Sequence, residues 1–244
     1  MNKISLSAFG LAFAVLVNTG ASASEPKVVL ELFTSQGCSS CPPADKILGE
    51  YAKRDDVLAL SFNVDYWDYL GWEDTLASSD NSDRQRAYAA ARGDHQVYTP
   101  QIVVNGDKHV IGSRGPEIKA AIADDAMLPV KISLVENDEA VTVTVDEASS
   151  GVEHTTLWVV FYQSEVIVPI ERGENTGKTI AYSNVVKKIR PIAMWDGEAM
   201  SVDLPKSEMA KANVKRCAVL LQTETEAGLP GRVLGAAMLD HDLN

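Results

Sequence analysis

The sequence predicts an α/β domain followed by an all-β antiparallel sandwich domain. In the first half, apolar runs typical of buried strands alternate with segments of helical periodicity. After Leu128-Pro129 the pattern changes to short runs in which apolar and polar residues alternate, separated by turn residues. We therefore assign residues 24–128 to the first domain and 129–244 to the second, after a signal peptide at residues 1–23.

The first half predicts strands, helices and one hairpin in a βαβ order, which implies a parallel strand pair with a right-handed crossover. Ala44, Ile47, Leu48 and Tyr51 recur at helical spacing after the first strand. Asn105-Gly106 between two short apolar runs is a strong hairpin signal. The elements predicted are a strand at 27–34, a helix at 43–53, a strand at 56–65, a helix at 82–92, a hairpin from 101–104 and 109–112, and a helix at 116–126.

The second half predicts strands only. Asn137-Asp138-Glu139 separates the first two of these runs, and similar turn-rich stretches separate the others. Strands are predicted at 130–136, 140–146, 155–162, 184–190, 217–223 and 232–239.

Two cysteines two residues apart, Cys38 and Cys41, lie at the turn from the first strand into the first helix. Such a pair can open and close as a disulfide. A helix start supplies N–H groups and a positive dipole end, which favour a thiolate at Cys38, and the thiolate is the reactive form. A disulfide that closes so short a loop removes little chain entropy, so stability alone is a poor reason for it.

This Cys-Ser-Ser-Cys motif, together with Thr99-Pro100 before the hairpin, resembles the thioredoxin fold. Segments 31–44, 64–72 and 97–101, with 172–175 and 231–237, resemble a family of exported bacterial thioredoxin-like proteins of unknown function. The resemblance implies an α/β thioredoxin-like first domain and a cis bond at Pro100 that holds Thr99 beside the dithiol. Gly37 and the inner Ser39-Ser40 depart from thioredoxin, so its redox potential does not carry over.

The predicted function is thiol–disulfide exchange on exported proteins or small thiols. Cys38 attacks or is attacked, Cys41 resolves the mixed disulfide, and Thr99 and Pro100 position the partner. Trp67 and Trp72 are expected to line a substrate groove, with packing under a long loop as the alternative. Asp65 is expected either to accept a proton beneath Cys41 or to cap the loop that follows.

Two other classes stay open. Cu(I) accepts two thiolates, so a copper-binding protein or metallochaperone is one alternative. A non-catalytic thioredoxin-like binding module is the other. Two cysteines supply only half of a tetrahedral zinc site, and we predict no metal and no cofactor. Cys217 is expected to be a buried, inert thiol.

The first 23 residues predict export to the periplasm or the medium. Lys3 precedes a short apolar stretch that ends in the A-x-A sequence Ala21-Ser22-Ala23, the pattern of a signal peptide. Loss of Lys3 would take the formal charge from −12 to −13. An acidic chain argues against nucleic acid as a partner, and no later segment is long and apolar enough to hold the mature chain in a membrane.

Overall fold

Strands dominate the fold. The computed structural model describes residues 23–125, 127–148 and 154–239. Strands hold 43% of these described residues and helices 21%. Within these ranges nine strands form one mixed sheet and three strands form a second, smaller sheet.

The elements in chain order are β1 (Ala23–Ser24), β2 (Val28–Thr34), α1 (Pro42–Tyr51), β3 (Val57–Asn63), a short 3-10 helix (Asp68–Leu70), α2 (Ser79–Arg92), β4 (Gln101–Val104), β5 (Lys108–Ile111), α3 (Gly115–Asp124), β6 (Ile132–Glu136), β7 (Ala140–Val145), β8 (Thr155–Pro169), β9 (Thr179–Trp195), β10 (Met200–Pro205), α4 (Lys206–Ala212), β11 (Arg216–Glu224) and β12 (Pro230–Leu239).

The large sheet has the strand order β1-β12-β11-β8-β9-β3-β2-β4-β5, and the small sheet has the order β10-β7-β6. Strands β2 and β3 are parallel, with Val28 opposite Val57, while β4 and β5 extend that edge antiparallel. At the other end, β8, β9, β11 and β12 pair antiparallel with their neighbours. The parallel pair and its crossover helix are therefore as the sequence predicts.

The prediction of an α/β thioredoxin-like domain followed by a separate all-β sandwich domain is wrong. Strand β9 lies parallel beside β3, with Val185 opposite Ser61, so strands from the second half continue the sheet of the first. The Asn184 side-chain amide donates to the Ala59 carbonyl at 2.8 Å across this seam. Local patterns indicate that a strand exists but not which distant strand it pairs with. The division at residues 128 and 129 stays a prediction, because a shared sheet does not show whether either half folds alone.

Side chains on opposite faces of the strands enter different cores, as strand geometry requires. On β2, Leu30 and Leu32 pack with α1 and α3, whereas Val29 and Phe33 pack toward α2. On β8 and β11, one face joins the core on the α2 side, and the other packs against β6, β7 and β10. Residues 155–162 of β8 and 217–222 of β11 are therefore largely buried on both faces.

A buried polar network also joins the two halves. Glu31 on β2 is fully buried and receives the Arg84 guanidinium from α2, with Nε to Oε2 at 2.6 Å. The Tyr88 hydroxyl donates to the same carboxylate at 2.6 Å, and Gln222 on β11 accepts from Arg84 at 3.0 Å. A charge pair this deep in a protein stabilises the fold only when its hydrogen bonds are all made. The network therefore requires β2, α2 and β11 together.

The sequence missed some elements. It predicts neither β10 nor α4. It also predicts β8 and β9 too short, as 155–162 and 184–190, where the structure has Thr155–Pro169 and Thr179–Trp195. Residues 1–22 of the predicted signal peptide lie outside the described residues, so that prediction stands as made. None of the helices in the described ranges is both long and apolar enough to span a membrane.

Candidate functional site

Cys38 and Cys41 form a disulfide between the end of β2 and the start of α1, with their Cα atoms 5.4 Å apart. Cys38 is 4% exposed and Cys41 is fully buried. The Cys38 sulfur lies 3.4 Å from the Ser40 hydroxyl. Of the two residues, Cys38 is therefore the one with some exposed surface, and its sulfur lies beside a hydroxyl that can donate to it.

The start of α1 supplies fewer N–H donors than an ordinary helix N-terminus does, which weakens the expected stabilisation of a Cys38 thiolate. Pro42 and Pro43 occupy the first turn of α1, and proline has no backbone N–H. The next two N–H groups, those of Ala44 and Asp45, both donate to the Cys41 carbonyl at 2.8 and 3.1 Å. Stabilisation of a Cys38 thiolate must therefore draw on other groups besides the helix terminus.

The segment of residues 35–41, here called the cysteine loop, is held from the first half of the chain by Asp74. The Gln36 N–H donates to Asp74 Oδ2 at 2.7 Å, and the Asn63 amide donates to the same oxygen at 3.0 Å. Burial raises the pKa of Asp74, against the lowering effect of these donors. Nothing local in the sequence marked Asp74 as part of the site.

The second half of the chain reaches the cysteine loop through residues 170–178, here called the β8–β9 loop. Asn175 is fully buried, and its amide donates to the carbonyls of Gln36 and Cys38, both at 2.9 Å. Lys178 Nζ donates to Asn175 Oδ1 at 2.8 Å. Asn175 belongs to a segment that supports the family resemblance, but the sequence alone assigned it no role.

Pro100 follows a cis peptide bond with Thr99, as the sequence predicts, and it is buried. It packs at Gly112, where an added Cβ would lie 3.1 Å from the Cβ atoms of both Pro100 and Ala44 and 2.9 Å from Leu32 Cδ1. A side chain at position 112 would crowd these three atoms, so only glycine fits there without a shift of its neighbours. Pro100 therefore lies close to the first turn of α1, which follows directly after Cys41.

Trp67 and Trp72 lie against the cysteine loop with their indole N–H groups occupied. Trp67 Nε1 donates to Thr99 Oγ1 at 2.8 Å, and Trp72 Nε1 donates to Gln36 Oε1 at 2.8 Å. Both residues are partly buried, whereas the intervening Tyr69 is 78% exposed. The structure thus places the predicted substrate-binding residues beside the cysteine loop, and their role in binding stays a prediction.

Asp45, which the sequence analysis did not single out, is a buried carboxyl, 3% exposed, one helical turn after Cys41. Thr34 donates to its Oδ1 at 2.7 Å, while Oδ2 has no hydrogen-bond partner among the described residues. Burial raises the pKa of Asp45 to about 8, opposed by the Thr34 hydrogen bond and reinforced by the negative charge of Asp74. The pKa of Tyr182 is also raised, by burial and by the charges of Asp45 and Asp74.

Asp65 pairs with α2. It accepts a hydrogen bond from the Ser82 hydroxyl at 2.5 Å. This favours the interpretation of Asp65 as a loop-capping residue over that of a proton acceptor beneath Cys41.

Cys217 is free and fully buried, and burial raises its pKa to about 12. His109 accepts or donates at Nδ1 toward the Tyr98 hydroxyl at 2.9 Å, and burial lowers its pKa.

Among the described residues no three or more His, Cys, Asp and Glu side chains converge on a common point. A Cu(I) site of the kind considered from the sequence would rest on Cys38 and Cys41 once reduced.

Comparison with solved structures gives two similar chains. Protein AGR_C_4864 from Agrobacterium tumefaciens, a crystal structure, is 37% identical, with a TM-score of 0.78 over 90% of this chain and 97% of that one. HBP35 of Porphyromonas gingivalis is 11% identical, with a TM-score of 0.60 over 91% of this chain and 76% of that one. The second likeness concerns the fold alone. No curated protein matches this chain.

The matched family spans most of the chain. The family described as "Protein of unknown function (DUF1223)" matches residues 29–222, which include the cysteine loop, Thr99-Pro100 and the β8–β9 loop. The chain therefore belongs to this family of unknown function.

Proposed function

We propose that this protein is an exported thiol–disulfide oxidoreductase that uses the Cys38–Cys41 pair. The observation that carries the proposal is the disulfide itself, which closes a loop of only four residues where a strand meets a helix. By the chain-entropy relation, so short a loop stabilises the fold by only about 2 kcal/mol. A disulfide that adds so little stability, at the junction of a strand and a helix, is better explained by a function in which it opens and closes.

The slightly greater exposure of Cys38 than of Cys41 supports the proposed roles of the two residues. A substrate thiolate attacks Cys38 Sγ, the Cys38–Cys41 bond breaks, and Cys41 leaves as a thiolate that takes up a proton. A second thiolate of the substrate then attacks the substrate sulfur of the mixed disulfide, and Cys38 leaves as a thiolate. Two electrons pass from the substrate dithiol to the cysteine pair, and the substrate departs as a disulfide. The reverse direction follows the same steps backwards.

The proposed partners are exported proteins or small thiols, in the periplasm or the medium. The predicted signal peptide supports this compartment, and disulfides persist in such oxidising environments. A charge of −12 disfavours nucleic acid. In cells, the Cys41→Ser variant should accumulate mixed disulfides through Cys38, because no second thiol remains to resolve them. Equal trapping by Cys38→Ser would contradict this assignment of roles.

A redox titration of the protein without its first 23 residues tests the proposal. We expect one two-electron transition in glutathione buffers, together with disulfide exchange on a model dithiol peptide. Tight Cu(I) binding by the reduced pair without exchange would replace the proposal with a copper-binding role. If the protein shows neither disulfide exchange nor tight Cu(I) binding, a non-catalytic binding module is the function that remains.

A further inference from the structure

Asn175 is an unusual residue for its position in the chain. It is fully buried, while its neighbours from 171 to 174 and from 176 to 179 are all exposed. A buried side-chain amide costs free energy unless its hydrogen bonds are made. Asn175 makes three, which connect Gln36, Cys38 and Lys178.

The conformation of the β8–β9 loop places Asn175 against the cysteine loop. The Ile170 N–H donates to the Lys178 carbonyl at 2.9 Å, and the Gly177 N–H donates to the Ile170 carbonyl at 2.8 Å. Gly173, at φ +77, allows the loop to pack on Trp72, where an added Cβ would lie 3.2 Å from Trp72 Cβ. The β8–β9 loop is therefore closed on itself and seated on the aromatic segment beside the cysteines.

The two carbonyls that Asn175 holds flank the reactive sulfur along the backbone. The Cys38 carbonyl also accepts from the Cys41 N–H at 3.2 Å, and the Cys38 N–H donates to the Ser35 carbonyl at 3.2 Å. None of these bonds involves a sulfur atom, so reduction of the disulfide does not break them directly. The backbone around Cys38 is thus fixed on both sides of the residue.

These contacts bear on the charge that Cys38 must carry when the disulfide opens. Carbonyl oxygens near a thiolate disfavour it, and N–H donors on those oxygens reduce that effect. The Lys178 ammonium, in contact with Asn175 Oδ1, adds a positive charge and polarises the amide toward the loop. Pro42 and Pro43 supply no N–H donors at the helix start, so stabilisation of the Cys38 thiolate depends more on Asn175 and Lys178.

We propose that Asn175, supported by Lys178, is a positioning residue of the second half that orders the cysteine loop and favours the thiolate form of Cys38. The inference rests on the proposed function, because a more stable Cys38 thiolate matters only if the cysteine pair exchanges. It also answers what the second half contributes, since the reactive loop is complete only when the β8–β9 loop is docked on it.

The test measures the pKa of the Cys38 thiol from alkylation rate against pH in the Cys41→Ser background. We expect Asn175→Ala to raise this pKa by about one unit, a tenfold smaller thiolate fraction below the pKa. In the protein with both cysteines, the equilibrium with glutathione should shift severalfold toward the disulfide, because a less stable thiolate makes the pair less oxidising. Thermal unfolding establishes that each variant is folded.

Matched lysine variants keep the test decisive if Asn175→Ala does not fold. Lys178→Met should raise the Cys38 pKa by about half a unit, and Lys178→Arg should restore it, because the charge returns. Lys187→Met removes the same charge from an exposed site on β9 and should leave the pKa unchanged. If Lys178→Met and Lys187→Met behave alike, or a folded Asn175→Ala leaves the pKa unchanged, the inference is overturned. Failure of the wild-type pair to exchange at all would instead count against the proposed function.

Discussion

Replacing Asp45 with asparagine should change how the stability of the fold depends on pH. Asp45 is buried, with one oxygen bonded to Thr34 and the other without a partner among the described residues. Burial raises its pKa in the folded state to about 8, against an ordinary value of 3.8. Between these two values the folded chain holds a proton that the unfolded chain releases. Stability from this group is therefore fully present below about pH 4 and is lost as the pH rises toward 8.

The size of the effect follows from the two pKa values. They differ by about four, and each unit corresponds to about 1.4 kcal/mol, which gives an upper bound of about 5–6 kcal/mol by pH 9. Asparagine has nearly the same shape, keeps an oxygen that accepts from Thr34, and never ionises. We expect Asp45→Asn to be more stable than the wild type by about 1–2 kcal/mol at pH 5 and by several kcal/mol at pH 9, since the difference grows as the pH rises.

Urea unfolding at pH 5, 7 and 9, with the disulfide intact, measures this difference. Asp55→Asn, which removes the same charge from an exposed position, is the matched control and should show no such trend. A constant difference between Asp45→Asn and the wild type from pH 5 to pH 9 would refute the reasoning, because it would mean that Asp45 ionises in the folded state as it does in the unfolded one.

Three further predictions concern the cysteines and the buried charge pair. Cys217 should resist iodoacetamide in the native protein at pH 8 and react only after unfolding, since burial raises its pKa to about 12; labelling of Cys217 at the rate of a free thiol would contradict its buried placement. Arg84→Met should destabilise the fold by about 3–5 kcal/mol in urea, because it leaves the Glu31 carboxylate buried without its cation; a loss below about 1 kcal/mol would mean that the network is not needed. Replacing both Cys38 and Cys41 with alanine should cost only about 2 kcal/mol, as expected for a four-residue loop, and a much larger loss would point to a structural bond.

The sequence predicts the parts of the fold that local patterns encode. The apolar runs around β2 and β3, the helical spacing of Ala44 and Leu48, and Asn105-Gly106 in the hairpin each carry their own signal. Pro42 and Pro43 are equally readable in the sequence, and their missing N–H groups weaken the helix start as a source of thiolate stabilisation.

The parts that failed depend on partners far apart in the chain. Val185 lies beside Ser61, and no local pattern specifies that pairing, so the sequence alone predicts a separate sandwich. Asn175 is polar and surrounded by exposed residues, which is also the pattern of an ordinary surface loop. Asp45 lies on the buried face of α1, where a carboxyl is unexpected without its tertiary neighbours. Burial of these polar groups follows from packing across the sheet, which composition and periodicity do not contain.

The most direct test of the central claim is to locate the mixed disulfide. The Cys41→Ser protein is incubated with oxidised glutathione, and peptide mapping by mass spectrometry identifies the modified residue. Thiol–disulfide exchange through Cys38 predicts a single glutathione adduct on Cys38, absent from Cys38→Ser, with Cys217 unmodified. An adduct on Cys217 alone, or none on Cys38 after prolonged incubation, would contradict the account.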